Sequence, residues 1–299
     1  MDIFVTGASG FIGRAVVPEL LASGHRVSGL ARSATAARTI SDLGATAVRG
    51  TLDDLDLLRS TAGANDAVVH LAFKHDIAFT GDYDGAAEAD RVAIETLGTS
   101  VGGDDPTLVI ASGLAGLSFG RPTTERDVPT EAGPATARLA GAAAALALAD
   151  RGVRSSVVRL APTVHADGAG GLAEMYANAS RAAGVIRYIG DGAFRWPAVH
   201  RSDAATLFRL AVEQAAAGSV LHAATEEGIA VRDLAEALGR SMGLPVESIA
   251  REGAEEHLGW LAGFVATDVP ASSAITRDQL GWRPSGPSLL DDVSAGHYA

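Results

Sequence analysis

The stretch VTGASGFIGRAV, close to the start of the chain, constrains the fold more than any other segment. Its glycines Gly7, Gly10 and Gly13 are spaced G-x-x-G-x-x-G and separate the apolar run IFVTG (3–7) from a helical pattern over 11–24. Glycine allows a strand to turn tightly into a helix and lets the two elements pack closely. The chain therefore opens with a strand, a glycine-rich turn and a helix.

The same alternation of strand and helix continues along the first half of the chain. Further apolar runs typical of strands occupy 25–33, 45–50, 67–73, 107–113 and 155–162, with helical patterns between them. Such alternation predicts a parallel sheet covered on both faces, which also explains why the runs are continuously apolar. We predict an α/β fold: a doubly wound Rossmann sheet over 1–163, with part of 195–225 added, and a small C-terminal substrate-binding lobe over 164–299. The segment RWPAVHRSDAATLFRLAVEQ (195–214) is predicted as a loop entering a helix.

The glycine turn predicts a dinucleotide site, because a helix N-terminus offers backbone N–H groups and positive potential to a pyrophosphate. The second strand ends in GLARS, which places Arg32 and Ser33 shortly after the next turn. An acidic residue at this distance from the glycines would bind the ribose 2′-hydroxyl of NAD, whereas an arginine accommodates the 2′-phosphate of NADP. No acid is near Arg32 in the sequence, so we predict NADP(H).

Charge and composition exclude several classes of function. The 299 residues carry 36 acidic and 24 basic side chains, a net charge of −12 that repels nucleic acid. There is no cysteine, which excludes thiolate catalysis and cysteine-type metal sites, and no other cluster has metal-ligand spacing, so we expect no metal. No apolar run reaches about 18 residues and the N-terminus lacks the features of a signal peptide. We expect no membrane span and a cytoplasmic protein.

Several segments together resemble the short-chain dehydrogenase/reductase superfamily in its extended or atypical, epimerase-like branch. They are TGASGFIG, VVHLAF (68–73), RLAPTVHADG, WPAVHRSDAATLF and DQLGWRP. The resemblance covers nearly the whole chain and implies a nicotinamide cofactor and a small-molecule substrate. In this family the helix equivalent to the alanine-rich segment 134–150 often forms a dimer interface, so a homodimer is a further expectation.

The resemblance also implies contacts with the cofactor. The segment Gly50-Thr51-Leu52 would bracket the adenine, with Thr51 where the family usually has Asp. The end of the fourth strand would line the path to the ribose, and the segment after the sixth strand would approach the carboxamide. With Arg32 and Ser33, the implied cofactor residues are Thr6, Gly7, Ser9, Gly10, Phe11, Ile12, Gly13, Thr51, Leu52, Leu71, Ala72, Phe73, Pro162 and Thr163.

The chain departs from the family in its catalytic motif. Members typically reduce a carbonyl with Tyr-x-x-x-Lys, in which the lysine lowers the pKa of the tyrosine that donates the proton. Counting back from Arg159, which matches an arginine of the family, places Pro134 at the tyrosine position and Arg138 at the lysine position. No tyrosine lies between Tyr83 and Tyr176. We therefore predict that the usual pair is absent.

A replacement proton donor must then come from another segment. Ser112 ends the fifth strand, His75 follows the fourth, His165 stands at the tyrosine of the family's V-Y-G segment, and Tyr176 lies on the next helix. Loops at the carboxyl ends of parallel strands face the ligand crevice, and imidazole is an acid suited to neutral pH. We predict the catalytic group among these four residues.

The resulting hypothesis is an NADPH-dependent reductase that delivers hydride to a carbonyl of a small, apolar molecule, or to an imine or activated alkene. The apolar lobe, with Phe194, Trp196 and Trp260, favours such a substrate. Two alternatives stay open. One is an NADP(H)-binding sensor that has lost redox chemistry, and the other is a non-redox isomerase or lyase on the same fold.

Overall fold

The structure, a computed structural model, describes residues 1–78, 80–115, 117–128, 134–167 and 170–299, with 134–137 as backbone alone. Its strands are β1 Asp2–Thr6, β2 Arg26–Ala31, β3 Thr46–Arg49, β4 Ala67–His70, β5 Thr107–Gly113, β6 Arg154–Leu160, β7 Thr163–His165, β8 Ile186–Ile189, β9 Arg195–His200, β10 Ser219–Ala223, β11 Glu226–Ala230 and β12 Val246–Ile249.

The helices alternate with these strands in the first half of the chain, and the last four helices follow β12 with no strand between them. They are α1 Gly13–Ala22, α2 Ala34–Asp42, α3 Leu55–Gly63, α4 His75–Ala78, α5 Tyr83–Gly98, α6 Pro134–Ala147, α7 Gly171–Ala183, α8 Arg201–Gln214, α9 Val231–Met242, α10 Ala254–Leu258, α11 Leu261–Val265, α12 Ala274–Leu280 and α13 Leu289–Ser294; a 3₁₀ turn, Leu148–Arg151, extends α6. None of the helices in the described ranges combines the length and apolar character that crossing a bilayer requires.

The main sheet has the order β3-β2-β1-β4-β5-β6-β10 within the described residues, and every pairing in it is parallel. Side chains of β1 alternate between two cores: Ile3 and Val5 face the core that includes α1 and α8, and Phe4 faces the core that includes α3, α5 and α6. This period of two is what a strand covered on both faces requires. The sheet confirms the predicted Rossmann-type α/β fold.

The small residues of α6 are used inside the chain. Ala142 and Ala145 are buried, and a Cβ on Gly141 would lie 3.0 Å from Cδ1 of Ile94 on α5. Small side chains allow the two helices to approach this closely. The alanine-rich composition is therefore explained without a second chain, and homodimer formation stays a prediction.

The segment 195–200 is a strand, so the loop predicted there is wrong. The strand, β9, is the middle strand of a second sheet, β11-β9-β7. Proline cannot donate a ladder hydrogen bond, so Pro197 makes a strand here unusual. In the structure, the pairing of β9 with β11 shifts register between Trp196 and Ala198, so an irregularity accommodates the proline.

The C-terminal lobe has its own apolar core. Trp196 and Tyr176 are among the largest side chains in this core. Two elements from the same half of the chain belong instead to the main sheet. Helix α8 and strand β10 pack with it, with Phe208 and Leu221 in its core. Asp203 on α8 accepts backbone hydrogen bonds from Ser285 and Gly286 at 2.9 and 3.0–3.1 Å, which fastens the C-terminal segment to this helix.

Candidate active site

The glycine turn between β1 and α1 leaves no room for side chains. Gly7 has a left-handed φ of +70°, and a Cβ there would lie 2.8 Å from the backbone nitrogen of Ala72. A Cβ on Gly13 would lie 2.2 Å from the carbonyl oxygen of Gly7. Both contacts are too short for any real side chain, so both positions require glycine. The turn presents bare backbone at the carboxyl edge of the sheet.

This bare backbone suits the pyrophosphate of a nicotinamide dinucleotide. The order of strands reverses at β1 and β4, and ligands bind in the crevice outside such a switch point. Helix α1 begins at Gly13 and brings its N-terminus, the positive end of its dipole, to the crevice. Such a cofactor, when bound, supplies or accepts hydride. The residues of the turn would hold its phosphates in a cradle.

The other predicted residues of the turn lie beside this cradle. Ser9 is half-buried, and Ile12 packs against the main core. The ring of Phe11 lies 4.7 Å from Cζ of Arg201, and a Cβ on Gly170 would meet the same ring at 2.2 Å. Phe11 is thus packed against the segment that leads into the lobe and connects the cradle to it.

A buried polar chain underlies the crevice. Oγ1 of Thr6 lies 2.8 Å from Nδ1 of His70, and Nε2 of His70 lies 3.0 Å from Oδ1 of Asp90 on α5. The backbone N–H groups of Leu71 and Ala72 donate to Thr6 at 3.2 and 3.3 Å, which places the predicted ribose path beside the glycine turn. The Thr6 hydroxyl is engaged inside the protein, so this residue supports the site from beneath.

At the predicted ribose end, Arg32 is exposed and forms an ion pair with Asp76 on α4, with Nη1 and Oδ2 3.1 Å apart. No acid is close to Arg32 along the sequence, but α4 brings Asp76 beside it in space. An exposed pair of this kind contributes at most about 1 kcal/mol, so Arg32 stays available to a phosphate. Ser33 caps α2 by accepting a hydrogen bond from the N–H of Ala36 at 3.1 Å.

The predicted adenine contacts are altered by local packing. The backbone N–H and Oγ1 of Thr51 both bond to Oδ2 of Asp54, at 2.7 and 3.0 Å, so Thr51 holds the start of α3. Leu52 is buried in the core beneath the crevice, which withdraws most of its side chain from an adenine ring. Lys74, at the end of the segment after β4, is paired with Asp53 at 2.5 Å.

A cavity of about 320 Å³ opens at the carboxyl ends of β5 and β6. Its walls are mainly apolar, and its polar side chains are those of Tyr83, Ser112, Arg138 and Thr267. An apolar pocket with a few convergent polar groups is the usual form of a small-molecule site. Its apolar lining includes Pro162, Leu172, Trp196, Phe264 and Val269.

The cavity meets the predicted nicotinamide end of the cofactor at Pro162. Thr163, next in the chain, is fully buried, and its Oγ1 has no hydrogen-bond partner among the residues described. Ser112, at the end of β5, is 5% exposed and lies opposite Arg159 in the sheet register. Of the four predicted catalytic residues, Ser112 is the one that the structure places in the cavity wall.

Arg138 enters this cavity from α6, at the position that the sequence resemblance predicts to match the lysine of the family motif. Its Nη2 donates to the carbonyl oxygen of Ala111 at 3.1 Å, one residue before Ser112. Its guanidinium carbon lies 4.3 Å from the centroid of the Phe73 ring. The ring of Tyr83, at the start of α5, packs against the same Phe73 at 5.8 Å. Phe73, predicted as a ribose contact, therefore contacts both the Arg138 guanidinium and the Tyr83 ring.

Residues 3–224 match the NAD-dependent epimerase/dehydratase family. The chain belongs to this family. Uncharacterized proteins of Schizosaccharomyces pombe and Saccharomyces cerevisiae are 42% and 40% identical to it, over 100% of both chains in the first case and 99% of both in the second. The solved structure of a dTDP-glucose 4,6-dehydratase from Streptomyces venezuelae aligns with a TM-score of 0.77 at 22% identity, covering 99% of this chain and 96% of that one.

These comparisons confirm the predicted family, and the solved structure confirms the fold. Membership of the epimerase/dehydratase family makes the chain an NAD(P)-dependent enzyme of the short-chain dehydrogenase/reductase class. The choice between NAD and NADP, the direction of hydride transfer and the absence of the tyrosine–lysine pair stay predictions. The side chain of Pro134, at the tyrosine position of the family motif, is outside the described part of the chain.

His75 lies near the site without lining the cavity. Its ring packs edge-on against Phe73 at 5.0 Å at the start of α4. Partial burial between its neighbours lowers the pKa of His75, and the positive charge of Arg138 lowers it further. The imidazole is therefore neutral at pH 7, which weakens its case as a proton donor for an epimerase-family reaction.

His165 and Tyr176 lie in the interior of the lobe, and the structure does not bring either into the cavity wall. Nδ1 of His165 lies 2.6 Å from Oδ2 of Asp292, and burial lowers the pKa of this histidine. Tyr176 packs against Trp196 and donates its hydroxyl proton to the carbonyl oxygen of Arg187 at 2.7 Å. Burial raises the pKa of Tyr176 well above its usual range. Both side chains are explained by packing.

Two residues of the cavity were missed as functional candidates, Tyr83 and Arg138. Arg138 was noticed only as the replacement of a lysine, and Tyr83 only as a tyrosine outside the motif. The available signal for Tyr83 was its place soon after β4, where loops face the crevice. The signal for Arg138 was its predicted alignment with the lysine of the family motif.

Proposed function

We propose that this enzyme is an NADPH-dependent reductase that delivers hydride to the carbonyl group of a small, mostly apolar molecule. The observation that carries the proposal is the cavity beside Pro162, because its mainly apolar wall carries the Ser112 hydroxyl and the Arg138 guanidinium where a polarised oxygen would need hydrogen bonds.

The size of the cavity supports the choice of substrate. Ligand pockets span about 300 to 1,000 Å³, and a volume of about 320 Å³ lies at the lower end of that range. Trp196, Phe264 and Val269 supply apolar wall area, which favours a compact aldehyde or ketone over a large, polar nucleotide sugar. Arg32 supports the choice of NADPH, because an exposed guanidinium at the end of β2 suits a 2′-phosphate.

The test is to incubate the protein with NADPH or NADH and a panel of aldehydes, ketones, imines, activated alkenes and nucleotide sugars. We expect consumption of NADPH with apolar carbonyl compounds. The Gly10→Ala variant, in which the phosphate approach is obstructed, serves as the matched control and should show slower turnover at limiting NADPH. Tight NADPH binding with no turnover across the panel would favour a sensor. Conversion of a nucleotide sugar without net consumption of NADPH would favour an isomerase or lyase.

A further inference from the structure

The phenol of Tyr83 and the guanidinium of Arg138 reach one cavity from two different helices. Both side chains contact Phe73, with Arg138 4.3 Å above the ring centre and the Tyr83 ring centroid 5.8 Å from it. Both also line the cavity that contains Ser112. Among the described residues, the Tyr83 hydroxyl has no hydrogen-bond partner, so its proton is not committed to any group in that part of the chain.

The orientation of Tyr83 is set from further along α5. Tyr83 and Asp90 are seven residues apart, which is close to two turns of helix, so they share one face. Asp90 is buried and bonded to His70 at 3.0 Å, which fixes that face toward the sheet. The chain Thr6–His70–Asp90 therefore fixes the rotation of the helix that carries Tyr83.

We propose that Tyr83 is the catalytic proton donor of this enzyme and that Arg138 is the positioning residue that holds a positive charge beside its phenol. The inference rests on the proposed reductase function. It assigns to a tyrosine from α5 and an arginine from α6 the work that the family motif gives to two residues of a single helix.

The proposed step balances as a two-electron reduction. The carbonyl carbon of the substrate accepts hydride, with a dihydronicotinamide as the reductant, and the carbonyl oxygen takes the phenolic proton of Tyr83. The C=O π bond is lost and an alcohol forms. The phenolate of Tyr83, stabilised by Arg138, regains its proton from solvent. Ser112 donates a hydrogen bond to the same oxygen while negative charge develops on it.

The electrostatics of the pair suit a donor. Partial burial raises the pKa of Tyr83, the charge of Arg138 opposes that rise, and the carboxylate of Asp90 adds to it. The phenol is therefore protonated at neutral pH, as reduction of a carbonyl requires. His75, which faces the same Phe73 from α4, has a lowered pKa and is neutral under these conditions, so it has no imidazolium proton to give.

The test compares Tyr83→Phe, Arg138→Gln and Arg138→Lys, with Tyr188→Phe as a matched tyrosine control outside the cavity. The first readout is the ultraviolet titration of tyrosinate in the protein without cofactor. Each protein is also titrated with Tyr83→Phe added. The difference between the two titration curves is the signal of Tyr83. The second readout is kcat with the best carbonyl substrate, and the third is the affinity for NADPH.

We expect Tyr83→Phe to lower kcat by roughly 10²- to 10⁴-fold while the affinity for NADPH is unchanged. Arg138→Gln should move the titration of Tyr83 to higher pH, and Arg138→Lys should restore it. If wild type reduces carbonyl compounds and Tyr83→Phe has the same kcat, the donor role alone is overturned. If Tyr83 titrates at the same pH in Arg138→Gln as in wild type, the role of Arg138 is overturned. No turnover by wild type with any carbonyl would overturn the reductase function and the donor role together.

Discussion

The guanidinium carbon of Arg138 lies 4.3 Å from the centre of the Phe73 ring, while Nη2 of the same side chain donates to Ala111 at 3.1 Å. This one side chain connects α6 to the segment after β4 and to the end of β5. A cation over an aromatic face in a partly desolvated site contributes about 0.5 to 2 kcal/mol. The contact therefore has a structural consequence that is separate from catalysis.

That consequence is measurable by a double-mutant cycle with Phe73→Leu and Arg138→Gln, followed by denaturant unfolding. We expect a coupling of about 0.5 to 2 kcal/mol in the free energy of unfolding. The pair Phe119 and Arg121, 5.6 Å apart with the arginine exposed, is the matched control and should couple less. Equal coupling in the two cycles would show that the buried setting of Arg138 adds nothing.

Replacing two glycines of the cradle should separate cofactor binding from stability. A Cβ on Gly10 would lie 3.1 Å from the carbonyl oxygen of Gly7, a contact that a small shift relieves. Gly10→Ala should therefore fold normally and bind NADPH at least about tenfold more weakly, because the methyl group occupies the phosphate approach. Gly13→Ala, with a Cβ 2.2 Å from the same oxygen, should cost about 1 to 3 kcal/mol of stability.

Calorimetry and thermal unfolding of both variants check these values. Unchanged NADPH affinity in a folded Gly10→Ala protein would mean that the phosphates lie elsewhere.

Arg32 should decide between the two nicotinamide cofactors. Its loss removes a charged hydrogen bond to the 2′-phosphate, worth about 1.5 to 3 kcal/mol, so Arg32→Ala should bind NADPH about 10- to 100-fold more weakly. The affinity for NADH should change little. Asp76→Asn, which removes the carboxylate now 3.1 Å from Arg32, should leave NADPH binding equal or tighter. Binding of both cofactors by calorimetry tests this, and equal affinities of wild type for NADH and NADPH would contradict the role of Arg32.

A buried histidine outside the site should make stability depend on pH. Nδ1 of His222 on β10 donates to the carbonyl oxygen of Ser272 at 2.9 Å, and burial lowers the pKa of His222 to about 4. In the unfolded chain the pKa returns to about 6.5, so the unfolded state binds the proton first as pH falls. The contribution of His222 is complete above about pH 6.5 and is lost toward pH 4, by about 1.4 kcal/mol per pH unit.

Denaturant unfolding of wild type and His222→Asn between pH 7.5 and pH 4.5 measures this contribution. The variant should show a shallower fall in the free energy of unfolding, whereas His257→Asn, at an exposed position of α10, should follow wild type. Parallel curves for wild type and His222→Asn would refute the assignment.

Much of the fold could be predicted because it depends on local patterns. The apolar runs located β1 to β6, and the glycine spacing located the turn before α1, since these features follow from burial on both faces and from backbone sterics. The prediction failed at β9, where Pro197 argues for a loop and only the pairing with β7 and β11 makes a strand. Strand pairing is a relation between distant segments and has no local signal there.

The candidate site divides in the same way. The sequence by itself determined the family and predicted a phosphate cradle at the glycine turn and a catalytic role for Ser112, because each depends on neighbours along the chain. Only the tertiary structure brought Tyr83 and Arg138 into contact with Phe73, placed Asp76 beside Arg32, and buried Tyr176 and His165 in the lobe. The physical reason is that proximity between segments far apart in sequence is decided by how helices pack on the sheet, which no spacing of residues records.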